Sequence, residues 1–278
     1  MPKLIISGRG GCGKSTLITL LAQRLGEEGK VLVIDTDESN LGLNAMFGIE
    51  PPSETLLDYL GGKPTVSKKL ISMLKTLAPS NDDEAFMPSK ELRVRIQNVE
   101  NEKISFFKER MELDELPEKC ISRKGSVALL RSGKIEHSME GCACSMNAVA
   151  LDFLNHLVLK DREWVLVDTE AGIEHFGRGL IGGADAVIMV VDPSYEAVLL
   201  AEKAAKLAHE VNKDFGVVLN KVDDKTEPAL KEMLMKKGIK IKGVIPYSTQ
   251  IAHSNMLGGS LETKTVEQEL NNIKNSIQ

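Results

Sequence analysis

Short apolar runs alternate with longer amphipathic stretches along most of the chain. The apolar runs occupy residues 3–7, 30–37, 126–134, 163–168, 186–193, 215–223 and 239–245. Nearly continuous apolar runs of this length are typical of parallel strands that are covered on both faces. Helical patterns occupy residues 17–26, 148–159, 194–211 and the stretch from residue 263 onward. The alternation predicts an α/β fold with a doubly wound, mostly parallel sheet flanked by helices.

A long charged stretch interrupts this alternation between residues 50 and about 123. Short helices are predicted at residues 53–60 and 67–77, and a strand is one option for residues 91–96. We expect a single domain over residues 1–278 with a charged insertion at about 79–124. A lid, a partner-docking face and a variable surface excursion are all open as roles for the insertion.

Composition and charge narrow the class of protein. The 278 residues are 42% hydrophobic, enough for a proper core, and their net charge of −5 disfavours a surface built for nucleic acid. Residues 1–3 lead straight into the first predicted strand, and no apolar run approaches the ~18 residues of a membrane span. We therefore expect a cytoplasmic protein that binds neither nucleic acid nor membranes.

A glycine-rich turn, G-R-G-G-C-G-K-S-T at residues 8–16, separates the first predicted strand from the first predicted helix. The spacing G-x-x-x-x-G-K-[ST] in that context is typical of a phosphate-binding P-loop. Backbone N–H groups and the helix N-terminus would bind the phosphates, Lys14 would reach the β- and γ-phosphates, and the Ser15 hydroxyl would hold Mg²⁺. The residues predicted to bind nucleotide here are Gly10, Gly11, Cys12, Gly13, Lys14, Ser15 and Thr16.

The loop from Arg9 to Ser15 resembles the deviant Walker A loop of the MinD/ParA/nitrogenase iron protein superfamily. Arg9 stands where that superfamily has a second lysine, which crosses a dimer interface to the partner's nucleotide. The resemblance therefore implies a nucleotide-bridged homodimer in which Arg9 assists catalysis. Arginine keeps the charge but offers a planar fork instead of a compact ammonium. An exposed loop charge is the alternative interpretation.

Carboxylates end two of the predicted strands. Asp35 and Asp37 end the run at 30–37, and Asp168 ends the run at 163–168. Ligands bind at the carboxyl ends of strands in such sheets, so these groups should face the phosphate site. Asp168 is expected to hold Mg²⁺ through its water shell. By resemblance, Asp37 is the switch I aspartate that orients the attacking water. Asp35 is predicted as a second switch residue that helps the Mg²⁺ shell indirectly, and capping of the next turn or helix is the alternative for both.

A second switch is predicted directly after Asp168. The sequence T-E-A-G at residues 169–172 places Glu170 and Gly172 where a γ-phosphate sensor is expected. The backbone N–H of Gly172 could sense the γ-phosphate and transmit its loss.

Two of the four cysteines, Cys142 and Cys144, stand one residue apart. Thiolates select soft metals such as Zn²⁺, Ni²⁺ or Cu⁺, and two ligands are too few for a tetrahedral site. A homodimer with the pair near its two-fold axis would supply four. Two small buried thiols are the alternative. We interpret Cys12 as a small filler of the loop and Cys120 as structural.

Three motifs together resemble the CooC/AcsF family of accessory ATPases, which assist nickel insertion into carbon monoxide dehydrogenase. They are the deviant loop, E-G-C-A-C at 140–144, and V-D-T-E-A-G-I-E-H-F-G-R-G at 167–179. The resemblance implies that the C-x-C pairs of two subunits bind Ni or Zn at the dimer interface and that the client is a carbon monoxide dehydrogenase-like metalloenzyme. His175, within the third motif, is expected to make a structural polar contact.

The base pocket is expected at the ends of the last strands. Asn220 and Lys221 end the run at 215–223, and Pro246 follows the run at 239–245. The sequence Asn220-Lys221-Val222-Asp223 also fits the N-K-x-D motif of GTPases, so these residues leave the base open. Resemblance to CooC favours ATP and ADP as the nucleotides.

The predicted function is that of an Mg²⁺-dependent ATPase with Lys14, Asp37 and Arg9 in catalysis. Two other classes share the loop. A ParA/MinD-like spatial organiser would leave the C-x-C pair unused. An electron-transfer ATPase like the nitrogenase iron protein would need four cluster thiolates, and its ligands are widely spaced.

Overall fold

A computed structural model describes residues 2–37, 40–77, 105–107, 109–134, 144–173, 176 and 179–277. Its strands are β1 (Lys3–Gly8), β2 (Lys30–Asp35), β3 (Ile121–Lys124), β4 (Val127–Arg131), β5 (Glu163–Asp168), β6 (Ala186–Val191), β7 (Asp214–Val222) and β8 (Ile241–Pro246). They form an eight-stranded sheet in the order β3-β4-β2-β5-β1-β6-β7-β8. The pair β3–β4 is antiparallel and the other neighbours are parallel. The predicted mostly parallel α/β sheet is confirmed.

The helices lie between and after the strands. They are α1 (Lys14–Gly26), α2 (Leu43–Phe47), α3 (Leu56–Tyr59), α4 (Gly62–Leu77), α5 (Cys144–His156), α6 (Tyr195–Glu210), α7 (Thr226–Lys236), α8 (Thr249–Met256) and α9 (Glu267–Ile277). Short 3₁₀ turns occupy Glu118–Cys120, Leu180–Gly183 and Thr263–Val266. None of the helices within the described ranges is long and apolar enough to cross a membrane.

Successive side chains of each strand point to opposite faces, and helices cover both faces of the sheet. Ile5 of β1 belongs to the buried cluster that contains Phe153 of α5. Leu4, one position earlier, belongs to the cluster that contains Leu21 of α1 and Leu270 of α9. Apolar residues at consecutive strand positions therefore supply two cores, one on each face.

The final part of the predicted insertion at 79–124 belongs to the sheet. Ile121 of β3 pairs with Leu130 of β4, and Asp152 of α5 accepts the backbone N–H groups of Phe106 and Phe107 at 2.6 and 3.1 Å. The β3 sequence I-S-R-K has a single apolar residue, so its period-two pattern is too short to predict a strand. The optional strand at 91–96 lies outside the described residues.

The carboxyl ends of β1, β2 and β5 meet at one edge of the sheet. Asp35 of β2 and Asp168 of β5 are direct register partners, and Asp168 also pairs with Ile6 of β1. Because α1 starts directly after the loop that follows β1, its N-terminus lies at the same edge. The fold thus brings the predicted phosphate loop and the predicted carboxylates together.

Candidate functional site

The P-loop, residues 8–16, has a backbone that depends on glycine. Gly13 has φ +102°, in the left-handed region, and a Cβ built there would lie 2.2 Å from Nδ2 of Asn220. A Cβ at Gly8 would lie 2.6 Å from Sγ of Cys12. These two positions therefore exclude larger residues on conformational and steric grounds.

The side chains of Asn220 and Lys221, at the end of β7, contact the backbone of the P-loop. The buried Asn220 amide donates to the carbonyl oxygen of Cys12 at 2.7 Å, and Nζ of Lys221 donates to the carbonyl oxygen of Gly11 at 2.7 Å. Pro246 ends β8 beside Val222. The structure thus assigns Asn220 and Lys221 a supporting contact that sequence reasoning missed, and their predicted contact with the base stays a prediction.

Asp223 completes the N-K-x-D sequence, and its side chain caps a turn. Oδ1 accepts the backbone N–H groups of Lys225 and Thr226 at 3.1 and 2.8 Å and the Thr226 hydroxyl at 2.7 Å. These contacts fix the carboxylate at the start of α7.

Lys14 and Thr16 lie on the first turn of α1. The Lys14 side chain is buried, and its Nζ donates to the carbonyl oxygens of Gly8 and Arg9 at 3.3 and 3.4 Å. The Thr16 hydroxyl accepts Nδ2 of Asn255 from α8 at 3.1 Å. The ammonium of Lys14 thus curls back over its own loop, within reach of a phosphate bound by the loop amides.

Ser15 and Asp168 form the centre that the sequence predicts for Mg²⁺. The Ser15 hydroxyl donates to Oδ2 of Asp168 at 2.9 Å. Oδ1 of Asp168 is buried and has no hydrogen-bond partner among the described residues. Burial and the nearby Asp35 raise the pKa of Asp168 to about 7. A hydroxyl beside a buried carboxylate with a free oxygen fits a hard divalent cation.

Asn40 is a member of this centre that sequence reasoning missed. Its Nδ2 donates to Oγ of Ser15 at 2.9 Å and to Oδ2 of Asp168 at 3.0 Å. The backbone N–H of Gly42 donates to Oδ1 of Asn40 at 3.1 Å, which fixes the orientation of the amide. A polar residue shortly after a strand-end carboxylate was the only sequence signal for it.

The switch I segment, taken here as residues 35–37 and 40, is tied to the sheet by buried polar contacts. The carboxylate of Asp35 lies 2.7 Å from Nζ of Lys134, and its Oδ1 accepts the backbone N–H of Asp37 at 3.2 Å. Burial raises the pKa of Asp35, and Lys134 opposes that shift. The Thr36 hydroxyl donates to the carbonyl oxygen of Asp168 at 2.6 Å. Asp35 thus pairs with a lysine, and the half-buried Asp37 follows it toward the P-loop edge.

The predicted second switch touches the P-loop through backbone atoms. The N–H of Gly172, at φ +96°, donates to the carbonyl oxygen of Gly8 at 3.0 Å. The Ser7 hydroxyl donates to the carbonyl oxygen of Gly172 at 3.1 Å. Glu170 lies two residues before this contact, and His175 lies outside the described residues. The N–H predicted to sense a γ-phosphate is thus engaged at the entrance of the loop.

Arg9 is bound within its own chain. Its Nη1 donates to Oγ of Ser194 at 3.3 Å and to Oε2 of Glu196 at 3.2 Å, and its Nε lies 3.7 Å from Oδ1 of Asp192. These groups follow β6 and begin α6. The side chain is one-third exposed, so the pairing is partly screened by water.

Only one residue of the cysteine pair lies within the described residues. Cys142 lies outside the described residues, and Cys144 is the first residue of α5. No cluster of three or more His, Cys, Asp or Glu with metal-binding geometry occurs in the part of the chain that the structure describes. Cys12 and Cys120 are buried, and burial raises the pKa of each thiol to about 11. Both are therefore protonated thiols, in line with a packing role.

Comparisons with known proteins agree with this geometry. Residues 3–260 match the CobQ/CobB/MinD/ParA nucleotide-binding domain. An uncharacterized ATP-binding protein of Methanocaldococcus jannaschii is 37% identical, with 99% of this chain and 98% of that protein covered. The carbon monoxide dehydrogenase accessory protein CooC of Rhodospirillum rubrum is 32% identical, with 80% of each covered. The cell division ATPase MinD of Pyrococcus furiosus has the same fold, with a TM-score of 0.63 at 18% identity over 100% of this chain and 98% of that chain.

Proposed function

The chain belongs to the CobQ/CobB/MinD/ParA nucleotide-binding family, and from that premise we propose that it is an Mg²⁺-dependent ATPase. The observation that carries the proposal is the Ser15–Asp168–Asn40 centre beside the P-loop, where Oδ1 of Asp168 is buried without a hydrogen bond among the described residues. Such a centre supplies the hydroxyl and carboxylate oxygens that a nucleotide-bound Mg²⁺ requires.

Each residue of the site has a role in phosphoryl transfer. The loop amides and Lys14 stabilise negative charge on the transferred phosphoryl group, and Asp37 orients the attacking water. Ser15 and Asp168 would hold Mg²⁺, which would neutralise charge on the phosphate oxygens when bound. Gly172 exchanges its Gly8 contact for the γ-phosphate, so that binding of ATP changes the position of the second switch.

ATP is the nucleotide that resemblance to CooC favours. Recognition of guanine by an N-K-x-D sequence needs a carboxylate that faces the base. Oδ1 of Asp223 accepts three hydrogen bonds at the start of α7, and these contacts involve one of the two carboxylate oxygens. The relative from Methanocaldococcus jannaschii is an uncharacterized ATP-binding protein, which agrees with this choice.

The hydrolysis drives handling of a soft metal ion. Cys142 and Cys144 of two subunits together would hold one Ni²⁺ or Zn²⁺ in the homodimer, and the metal would be passed to a client metalloenzyme of the carbon monoxide dehydrogenase class. Support comes from the C-x-C sequence and from 32% identity to a carbon monoxide dehydrogenase accessory protein. Arg9 would leave Glu196 to reach the nucleotide of the partner subunit.

Two measurements test the two halves of the proposal separately. For hydrolysis, phosphate release from ATP is measured for the wild type and for Asp37→Ala. We expect turnover that requires Mg²⁺ and falls at least about 100-fold in the variant, while ADP affinity changes little. Turnover that is unchanged in Asp37→Ala would remove that residue from the mechanism, and absence of turnover in the wild type would leave a nucleotide-binding switch.

For the metal, native mass spectrometry counts metal ions per dimer after loading with Ni²⁺ or Zn²⁺ in the presence of ADP or ATP. We expect one ion per dimer in the wild type and none in the double variant Cys142→Ser/Cys144→Ser. Cys120→Ser is the matched control, because Cys120 is a buried thiol that should not bind metal. Wild-type protein that stays metal-free under all loading conditions would contradict the metal function.

A further inference from the structure

Lys134 is a buried cation whose side-chain contacts, among the residues that the structure describes, are with the switch I segment. It follows β4 by three residues, and its side chain is 7% exposed. Its Nζ lies 2.7 Å from Oδ2 of Asp35 and donates to the carbonyl oxygens of Asp37 and Asn40, the latter at 2.7 Å. One ammonium thus joins a side chain and two backbone groups of the same short segment.

Charge balance accounts for only one of these contacts. Burying a lone ammonium is unfavourable because the charge loses its hydration, and the Asp35 carboxylate offsets that loss. Arg131, the other cation that faces this carboxylate, lies 3.9 Å from it and donates instead to Oδ1 of Asn44 at 2.6 Å. An ammonium could neutralise Asp35 without contacting any carbonyl oxygen. The two carbonyl contacts of Lys134 therefore need a separate explanation.

The two carbonyl oxygens belong to the residues that face the reaction. Asp37 is the residue proposed to orient water, and the amide of Asn40 contacts both Ser15 and Asp168. A side chain reaches only as far as its backbone allows, and displacement of a reacting group by about 1 Å can lower a rate by about 100-fold. A group that fixes the backbone at both positions therefore influences hydrolysis without touching the nucleotide.

We propose that Lys134 is a positioning residue for ATP hydrolysis, which acts by holding the backbone carbonyls of Asp37 and Asn40. The inference rests on the proposed function, because it takes Asp37 as the residue that orients water. Lys134 lies about 100 positions away from switch I in the sequence. We expect its substitution to slow hydrolysis of the nucleotide without weakening nucleotide binding.

Lys134→Arg is the first test. Arginine keeps the charge that pairs with Asp35 but replaces a compact three-donor ammonium by a planar fork, so it cannot reproduce both carbonyl contacts. We expect kcat for ATP to fall about 10- to 100-fold, with KM and the affinity for ADP in EDTA within about threefold of the wild type. Lys213→Met is the control, because Lys213 donates to the carbonyl oxygens of Gly182 and Ala184 away from this edge and should leave kcat unchanged.

The double variant Asp35→Asn/Lys134→Met is the second test. It removes both buried charges together, so a melting temperature within a few degrees of the wild type is expected. Asp35→Asn alone is the reference, because Oδ1 of Asp35 accepts the backbone N–H of Asp37. If Lys134 served only to neutralise Asp35, its additional removal would not lower kcat further. The proposal predicts that kcat of the double variant lies below that of Asp35→Asn, while the melting temperature and ADP binding in EDTA are normal.

The outcomes separate this inference from the proposed function. Wild-type kcat in a folded Lys134→Arg variant, or a double variant whose kcat is no lower than that of Asp35→Asn, measured beside a wild type whose turnover depends on Asp37, would overturn the role of Lys134 alone. If the double variant does not fold, Lys134→Arg decides. A wild type with no turnover, or one in which Asp37→Ala is fully active, would instead overturn the proposed function on which the inference rests.

Discussion

Two loops at the carboxyl edge of the sheet are held in similar ways. The P-loop is supported through the carbonyl oxygens of Gly11 and Cys12 by side chains at the end of β7. The switch I segment is supported through the carbonyl oxygens of Asp37 and Asn40 by Lys134, just beyond the end of β4. In both cases the donor lies at or just beyond the carboxyl end of another strand, which is β7 for the P-loop and β4 for switch I.

The two supports differ in what else holds each loop. The P-loop has glycines at fixed left-handed positions, and its buried support, Asn220, is neutral. The described part of switch I has no glycine, and its support is one half of a buried ion pair. The P-loop is thus held by its own backbone conformation as well as by neighbouring side chains, whereas switch I is held by polar contacts that include a buried charge, and the ammonium of Lys134 reaches both Asp37 and Asn40. Binding and hydrolysis should therefore respond to different mutations.

The largest effect is expected from Gly13→Ala, which should lower nucleotide affinity. A Cβ at Gly13 would lie 2.2 Å from Nδ2 of Asn220 at a residue with φ +102°. Left-handed strain costs about 1–3 kcal/mol and the clash adds to it, so nucleotide affinity should fall about 100-fold or more. Isothermal titration with ADP measures this. Gly125→Ala is the control, because Gly125 has φ +61° with no atom within 4 Å of its Cβ, and it should bind ADP normally. Equal loss in both variants would contradict the steric account.

Asn220→Ala should raise KM for ATP, whereas Lys134→Arg should lower kcat. The variant leaves the buried carbonyl oxygen of Cys12 without its donor, which costs about 1–3 kcal/mol. We expect KM for ATP to rise about tenfold with kcat nearly unchanged, the opposite of the pattern for Lys134→Arg. Steady-state kinetics of both variants, measured side by side, gives the comparison. A fall in kcat without a change in KM for Asn220→Ala would show that the two supports are not separate.

Binding of Mg²⁺ should depend on pH through Asp168. Its pKa is raised to about 7, mainly by burial and next by Asp35, so its carboxyl is protonated below that pH in the folded protein. Mg²⁺ must displace this proton, and its affinity in the presence of ADP should rise about tenfold per pH unit below pH 7 and level off above. Without Mg²⁺ the same group should lower stability as pH rises from about 4 to 7, because the unfolded chain loses that proton earlier.

The variant Asp168→Asn is the reference for this pH dependence. It cannot titrate, so the slope in Mg²⁺ affinity that Asp168 causes, and the fall in melting temperature that Asp168 causes between about pH 4 and 7, should both vanish in this variant. A wild type whose Mg²⁺ affinity does not change between pH 5.5 and 7 would contradict the raised pKa.

The smallest effect is expected from Glu196→Gln. Removing this partner weakens the contact that keeps Arg9 within its own chain. Exposed ion pairs contribute about 0.2–1 kcal/mol, so ATP-dependent dimerisation should strengthen by no more than about fivefold. Glu232→Gln, which breaks an exposed pair with Lys236 on α7, is the control for loss of charge. A weaker dimer in Glu196→Gln would mean that Glu196 holds Arg9 in its productive position.

Much of the fold and of the P-loop could be predicted from the sequence, because the signals are local. Consecutive apolar residues predict β1, β2, β5 and β6, and the spacing of Gly8, Gly13 and Lys14 predicts the loop between β1 and α1. The position of Asp168 follows equally from a buried strand that ends in an acid. These features can be predicted because the residues that form them lie close together in the sequence.

The supports of the site could not be predicted, because they join distant parts of the chain. Lys134 contacts switch I across more than 90 residues, and Asn220 contacts the P-loop across 208. Asn220 and Lys221 resemble a base-binding motif, and that resemblance gives no indication of their contact with the P-loop. The edge strand β3 and the amide of Asn40 have too little local pattern to distinguish them from ordinary surface residues.

The proposed function requires that one homodimer links ATP binding to the binding of a soft metal ion. Equilibrium titration with Ni²⁺ or Zn²⁺, in the presence of either ADP or a non-hydrolysable ATP analogue, tests that link directly. Coupling between two sites is reciprocal and typically changes affinity about 5- to 150-fold, so the two dissociation constants should differ by at least about fivefold. This difference and the metal binding itself should be lost in Cys142→Ser/Cys144→Ser. Metal affinity that is identical with ADP and with the ATP analogue would contradict the claim.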